Sequence, residues 1–209
     1  MLFRSQPYRF KVTVVNQPIV NALAAPGGSI IVFYGLLDRT ANPEELAGVL
    51  AHEVAHVLNR HATRAIFRQA STGILLAAII GDARGVVAFG VEGARALGDL
   101  SHTRQAEEEA DREGMKMLHA ARIDPRGALT FFERLKEQEG KKGAAYARYF
   151  ASHPPVSERL ATLSALAAQA SGPPVKLLPD YDWQDVMKMC DDARPRSPRE
   201  RAKPRGESR

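Results

Sequence analysis

The feature that most constrains this chain is the sequence His52-Glu53-Val54-Ala55-His56, an H-E-x-x-H pattern inside a predicted helix. The segment Asn42-Pro43-Glu44-Glu45 is typical of a helix start, with Asn42 as N-cap and a proline at the first helical position. We expect this helix to continue to about His61. A spacing of four residues puts both imidazoles on one face, one turn apart, so both can reach a single metal ion.

The chemistry of the pattern follows from the position of Glu53. Its carboxylate lies about 100° round the helix from His52, where it can reach water activated by the metal rather than the metal itself. Zinc lowers the pKa of such water to about 7, and Glu53 can then take its proton and return it to a leaving amine. The alternative is a structural role without metal, in which both histidines are buried and donate hydrogen bonds to backbone carbonyls. The helix nonetheless carries many apolar residues, which predicts the dry setting that catalytic zinc needs: Leu46, Val49, Leu50, Val57 and Leu58.

A catalytic zinc takes three protein ligands and keeps one open position. In the metzincin pattern the third ligand is a histidine six residues after the second one, but Ala62 stands at that place. His61 is one residue away from it, and we interpret His61 as a surface or packing histidine. The metzincin rule therefore fails for this chain.

A glutamate from a later helix is the other source of a third ligand. Glu107 and Asp111 are one turn apart, so both can face the first helix. Glu107 is then the metal ligand, and Asp111 is the hydrogen-bond partner of a ligand histidine. A run of three glutamates is usually a solvated helix face, but Met115 and Leu118 indicate that one side of this helix is buried.

The order of predicted elements indicates an α+β fold, with a small N-terminal sheet followed by a mainly helical body. Residues 70–98 are apolar and glycine-rich, which is typical of a broken helical pair packed in the core; the alternatives are a lid over the site and a surface that docks on a membrane. The predicted strands are Tyr8–Val15, Ala22–Ala24 and Ser29–Tyr34, and the later helices are His102–Ala121, Arg126–Glu139, Val156–Gln169 and the short amphipathic Tyr181–Cys190.

Charge and composition divide the chain into three parts. Residues 193–209 contain seven basic and two acidic residues. Their net charge of +5 is the whole formal net charge of the chain. This part has no large apolar residue, so we expect a disordered, solvated basic tail rather than a nucleic-acid partner. We expect residues 1–170 to form the main domain and residues 171–192 to form a short extension packing on it. The single cysteine excludes an intrachain disulfide.

Membrane-directed segments are not predicted. The start, MLFRSQPYRF, has no apolar run long enough for a signal peptide. The uncharged stretch from Gln69 to Gly81 is thirteen residues long, short of the roughly 20 that cross a bilayer. We therefore expect the chain to be soluble as it stands.

Four ordered motifs together resemble the HtpX-like and BepA-like zinc metallopeptidases, a family that includes the CAAX prenyl endopeptidases. Two of them are NPEELAGVLAHEVAHVLNR at Asn42–Arg60 and TRQAEEEAD at Thr103–Asp111, where the family has serine in place of Thr103. The others are NALAAPGG, which begins at Asn21, and the histidine-proline segment at residues 152–155, which is followed by Arg159. The resemblance covers about residues 8–168.

The resemblance implies a zincin-like gluzincin endopeptidase with one zinc per chain, held by His52, His56 and Glu107, and with Glu53 as base. It implies that His153 lies near the metal, where it caps the open position or steadies the oxyanion. It also implies that Asn21 helps to hold substrate backbone.

The substrate and setting follow from the same resemblance. Extended peptide is expected to pair with the edge strand, Ser29–Tyr34 or its neighbour, which predicts broad specificity for unfolded or damaged proteins. Relatives are membrane-associated or periplasmic, so membrane association is implied, and the oligomeric state is left open. The alternative is a chaperone-like binder that keeps the zinc but cuts little or inhibits itself. The intact Glu53 argues against an inactive enzyme.

Overall fold

The computed structural model describes residues 8–68, 102–138, 144–153 and 156–188. Three short strands form one sheet in the order β1-β3-β2: β1 Lys11–Val15, β2 Ala22–Ala25 and β3 Ser29–Phe33. β1 is parallel to β3, and β2 is antiparallel to it. A tight turn with positive φ at Gly27 and Gly28 joins β2 to β3. β2 is therefore an edge strand among the strands that the structure describes.

The rest of the described chain is helical. A 3-10 turn at Val156–Glu158 precedes α6, and residues 61–68 are helical after the end of α2. The helices are α1 Tyr34–Leu37, α2 Pro43–Leu58, α3 Arg104–Ala120, α4 Arg126–Gln138, α5 Ala144–Ser152, α6 Leu160–Ala167 and α7 Trp183–Lys188. The predicted α+β architecture, a small sheet and then a helical body, is confirmed.

Side-chain hydrogen bonds fix the start of α2. The Asn42 side chain accepts a hydrogen bond from Glu45 N at 2.9 Å, and Glu45 Oε2 accepts one from Ala41 N at 2.7 Å. Arg134 of α4 donates to both carboxylate oxygens of Glu45, which ties the N-terminus of α2 to α4. The helix ends earlier than predicted because Arg60 has a left-handed backbone with φ 56°.

Two glycines allow α2 to approach its neighbours closely. A Cβ on Gly48 would lie 2.5 Å from the Ala128 Cβ of α4, and one on Gly114 of α3 would lie 3.2 Å from His52 N. Glu107 precedes Gly114 by seven residues, which is almost two full turns. The face of α3 that touches the backbone of α2 at His52 is therefore the face that carries Glu107.

The other sequence predictions agree in part. Residues 156–169 are a 3-10 turn followed by α6 rather than one helix, and α1 and α5 were not predicted. Residues 70–98, Cys190 and the basic tail 193–209 lie outside the described residues. Among the helices that the structure describes, none is long and apolar enough to cross a bilayer.

The segment after α6 packs on the main body. Val175 N donates to Arg122 O at 2.8 Å, Leu177 N to Glu44 Oε1 at 3.1 Å, and the Trp183 indole to Thr40 O at 3.0 Å. These contacts support an extension that packs on the domain, while the domain boundaries stay a prediction.

Candidate metal centre

Four side chains from three regions of the chain converge in the interior. His52 and His56 come from α2, Glu107 from α3, and His153 follows α5. Each offers one ligand atom, and these atoms lie within 4.8 Å of one another. All four residues are at most 3% exposed. The predicted meeting of Glu107 with the two helical histidines is thus present in the structure.

The spacing of the donor atoms fits a small metal ion. His52 Nε2 and His56 Nε2 are 3.0 Å apart, and they lie 3.5 and 3.2 Å from the Glu107 oxygens. Zinc bonds of 2.0–2.1 Å in tetrahedral geometry place ligand atoms about 3.3 Å apart. The two imidazole nitrogens and the Glu107 carboxylate therefore lie at the spacing of zinc ligands.

Two buried carboxylates of the cluster are held in the ionised form by neighbouring groups. Burial would raise the pKa of Glu107, but the neighbouring His153 and His52 hold it well below its usual value. Burial would also raise the pKa of Asp111, but hydrogen bonds with His52 and Arg159 lower it. Two ionised carboxylates thus share the Arg159 guanidinium and, without metal, the protonated His52; a bound divalent cation would take over the role of the His52 proton.

The two helical histidines have opposite pKa shifts without a metal. Burial lowers the pKa of His56 well below its usual value, so its imidazole is neutral. Burial also acts to lower the pKa of His52, but Asp111 and Glu107 outweigh it and raise the pKa to about 9. A bound cation would therefore displace a proton from His52.

Asp111 lies where the sequence predicted, beside a ligand histidine. Its Oδ1 is 3.0 Å from His52 Nδ1, which is the distance of a hydrogen bond. The direction is poor, however, and Nδ1 lacks a well-aligned hydrogen-bond partner among the described residues. Both groups are buried, and a small rotation of the His52 ring would align them.

Glu53 faces the cluster from the side of β2. Its Oε1 is 3.6 Å from His153 Nε2, and a hydrogen bond links its carboxylate to the backbone of Ala24. Glu53 Oε2 and His153 Nε2 are both buried and without a hydrogen-bond partner in the described part of the chain. Burial raises the pKa of Glu53, which makes its carboxylate a stronger base.

Asn21 is buried beside this centre. Its Nδ2 donates to Ser152 Oγ at 3.3 Å, and its Oδ1 accepts from Ala22 N at 2.9 Å. These bonds connect the start of β2 to the residue that precedes His153. The predicted role of Asn21 in substrate binding stays a prediction.

Arg159 is a site residue to which the sequence analysis gave no role. Its guanidinium donates to Asp111 Oδ2 at 2.7 Å, to Asp111 Oδ1 at 2.5 Å and to Glu107 Oε2. Burial acts against its charge, but Asp111 and Glu107 raise its pKa above the usual value. The histidine-proline motif contained the signal, since an arginine at this spacing belongs to it.

Two more histidines adjoin the centre, and the sequence analysis missed their placement. His61, interpreted as a surface or packing residue, is only 4% exposed and lies 2.8 Å from His56 through their Nδ1 atoms. The His102 ring stacks on the His56 ring with centroids 3.9 Å apart. Five of the six histidines in the chain therefore lie in one cluster.

A separate cleft of about 200 Å³ lies beside the segment after α6 and includes Arg122, Asp124 and Pro174. It contains none of the residues of the metal cluster. The chemistry of the donor atoms, rather than the size of a cleft, therefore identifies the site.

The family model for peptidase family M48 matches residues 2–167, which is most of the chain. The chain belongs to peptidase family M48. Within this family, the chain is 34% identical over 154 residues to mitochondrial metalloendopeptidase OMA1 of Schizosaccharomyces pombe, covering 73% of this chain and 45% of that protein.

Other M48 relatives are similar to the same part of the chain. Mitochondrial metalloendopeptidase OMA1 of Arabidopsis thaliana is 38% identical over 164 residues, with 78% of this chain and 32% of that protein covered. The beta-barrel assembly-enhancing protease of Escherichia coli K12 is 32% identical over 162 residues, with 73% and 33% covered. The chain thus spans less than half the length of these relatives.

Proposed function

We propose that this chain is a zinc-dependent metalloendopeptidase with one zinc held by His52, His56 and Glu107. The observation that carries the proposal is that the two imidazole nitrogens lie 3.0 Å apart and each lies 3.2–3.5 Å from an oxygen of the buried Glu107 carboxylate. Family membership supports the same reaction class and a polypeptide substrate. The donor set, two histidines and one glutamate, is also one that catalytic zinc uses.

Glu53 is the general base of the proposed reaction. When bound, zinc would act as a Lewis acid and lower the pKa of water to about 7. The Glu53 carboxylate takes a proton from the attacking water as the oxygen bonds to the peptide carbonyl carbon. It then returns that proton to the amide nitrogen as the C–N bond breaks. Burial of Glu53 supports this role, because a raised pKa favours proton uptake.

Asp111 and Arg159 position the ligands in this proposal. Asp111 accepts from His52 Nδ1–H and leaves Nε2 free to face the metal. Arg159 joins Asp111 to Glu107 and keeps both carboxylates ionised. His52 and Glu107 are therefore each oriented by a buried charged group.

His153 contacts both carboxylates at the centre. Its Nδ1 is 3.1 Å from Glu107 Oε1, and its Nε2 faces Glu53. This position suits either proposed role, capping the open metal position or steadying the oxyanion. The variant His153→Ala separates them when its zinc content matches wild type: higher peptidase activity assigns capping, and lower activity assigns oxyanion stabilisation.

The edge strand β2 is the proposed docking strand for extended substrate. Its Ala24 backbone contacts Glu53, so a peptide paired along β2 would pass the general base. Main-chain pairing reads backbone more than side chains, which supports broad specificity for unfolded or damaged proteins. If Asn21 holds substrate backbone, Asn21→Ala raises KM at unchanged kcat; if it only positions His153, kcat falls instead.

Metal analysis and one catalytic variant test the proposal. The purified chain is expected to hold about one zinc, and His52→Ala is expected to lose it. Casein cleavage should stop with a chelator and return with added zinc, and it should fall by about 10²–10⁴-fold in Glu53→Gln with zinc retained. The matched control is Glu108→Gln, which changes an exposed carboxylate on α3. Full zinc occupancy without cleavage of any unfolded substrate would favour the chaperone-like binder instead.

The cellular setting is a separate part of the proposal. The names of the relatives place some of them in mitochondria and connect others with beta-barrel assembly. We propose membrane association for this chain on the family resemblance. Co-sedimentation with vesicles that contain anionic lipid tests it, and a protein that stays in the supernatant would refute it.

A further inference from the structure

His61 and Glu109 form a continuous path of polar contacts that leads to His56 from outside the metal cluster. His61 Nδ1 lies 2.8 Å from His56 Nδ1, and His61 Nε2 lies 3.2 Å from Glu109 Oε2. The other Glu109 oxygen accepts from Gln105 Nε2 at 2.9 Å. His61 is not part of the ligand cluster, and its Nδ1 faces the side of the His56 ring away from the ligand atom.

The protons along this path can be assigned from the ends inward. A carboxylate only accepts hydrogen bonds, so Glu109 requires a proton on His61 Nε2. In a neutral ring the other nitrogen is then an acceptor, so His61 Nδ1 accepts from His56 Nδ1–H. In the zinc-loaded protein this assignment leaves the lone pair of His56 Nε2 for the metal, and Nε2 is the nitrogen that faces His52 and Glu107.

We propose that His61 and Glu109 are positioning residues that hold His56 in the Nδ1-protonated form, with Nε2 aimed at zinc. This rests on the proposed zinc site. Nδ1 of His52 faces the buried carboxylate of Asp111. Nδ1 of His56 instead faces the imidazole of His61, which contacts the half-buried carboxylate of Glu109. The two imidazoles that would bind zinc are thereby oriented by different groups.

The backbone conformation supports the contact between His61 and His56. Arg60 has a left-handed backbone with φ 56°, which turns the chain between the end of α2 and the helical residues 61–68. This turn brings His61 back against His56, five residues earlier. The His102 ring stacked on His56 restricts the remaining freedom of that ring.

Two substitutions of His61 give a matched test of zinc affinity, measured by competition with a chromophoric chelator. Asparagine keeps an oxygen acceptor near the place of Nδ1, whereas leucine has a similar volume and no acceptor. We expect His61→Leu to bind zinc 10–100-fold more weakly than wild type, and His61→Asn to stay within about threefold. Equal affinities in the two variants would overturn the proposal.

The acid at the outer end has its own control on the same helix. Glu109→Gln removes the charge that fixes the His61 proton, and we expect zinc affinity to fall several-fold. Glu108→Gln removes an adjacent, exposed charge and should leave affinity within twofold. A Glu109 variant that behaves like the Glu108 variant would contradict the positioning role of Glu109.

Nitrogen-15 NMR of the imidazoles in the full zinc-loaded chain reads the proton positions directly, and it needs no His61 variant to fold. The expected spectrum shows protonated Nε2 in His61 and protonated Nδ1 in His56. A proton on His61 Nδ1 would overturn the assignment. This test can fail separately from the proposed function. If His56→Ala binds zinc as wild type does, the zinc site is wrong. If His56→Ala loses zinc but the His61 and Glu109 variants bind it normally, only the positioning role of His61 and Glu109 is refuted.

Discussion

Burial keeps the imidazole of His102 neutral, and this has a consequence for stability. Burial and the nearby His153 lower the pKa of His102 to about 3. In the unfolded chain a histidine titrates near 6.5. Between these values the unfolded state binds more protons than the folded state, so the free energy of unfolding falls as pH falls.

We expect the contribution of His102 to disappear in His102→Gln. Urea unfolding at pH 7.5, 6.0 and 5.0 should show wild-type stability decreasing below about pH 6.5, by up to about 1.4 kcal/mol per pH unit for this one group. The variant, which has no group to titrate there, should show a smaller slope. Identical slopes in the two proteins would show that His102 is not held neutral by the fold.

Arg159 provides a second residue-scale prediction. Arg159→Leu leaves Glu107 and Asp111 buried without their guanidinium, and we expect the metal-free protein to lose about 3–5 kcal/mol in denaturant unfolding. Added zinc should recover part of the loss, because it supplies positive charge at the same place. Arg126→Leu is the control: it removes an exposed arginine that pairs with Asp124, and it should leave stability unchanged.

At the scale of elements, the sequence predicted well where short-range rules determine the structure. The Asn42 cap placed the start of α2, the four-residue spacing paired His52 with His56, and Glu107 and Asp111 shared the expected face of α3. Each of these follows from helix periodicity or local hydrogen bonding.

The elements that were missed depend on contacts distant in sequence. The positive φ of Arg60 brings His61 to His56, and a non-glycine residue gives no signal for that conformation. The segment predicted as one helix from Val156 to Gln169 breaks at Arg159, whose side chain turns inward to two carboxylates of α3. Only the tertiary structure supplies those partners.

The close crossing of α2 and α4 gives a prediction against intrinsic helix propensity. Alanine favours a helix over glycine by about 1 kcal/mol. At Gly48, however, the new methyl group would lie 2.5 Å from the Ala128 Cβ, so we expect Gly48→Ala to destabilise by about 1–3 kcal/mol. The double variant with Ala128→Gly should be more stable than the sum of the single changes implies, and strict additivity would refute the contact.

For the whole molecule, the single tryptophan reports whether the C-terminal segment belongs to the folding unit. Trp183 of α7 is the one tryptophan in the chain, and its indole donates to Thr40 O beside the start of α2. We expect urea transitions followed by tryptophan fluorescence and by far-UV circular dichroism to coincide. A fluorescence change at lower urea would show that the segment detaches before the domain unfolds.

The residues of the candidate centre are widely separated in the sequence, from His52 on α2 to Arg159 before α6. During synthesis on a ribosome, the H-E-x-x-H helix emerges long before Glu107, His153 and Arg159 are available. A partly translated chain thus lacks the third donor and the guanidinium that balances its charge. For the proposed peptidase, the order of synthesis itself would keep a nascent copy inactive until the domain is complete.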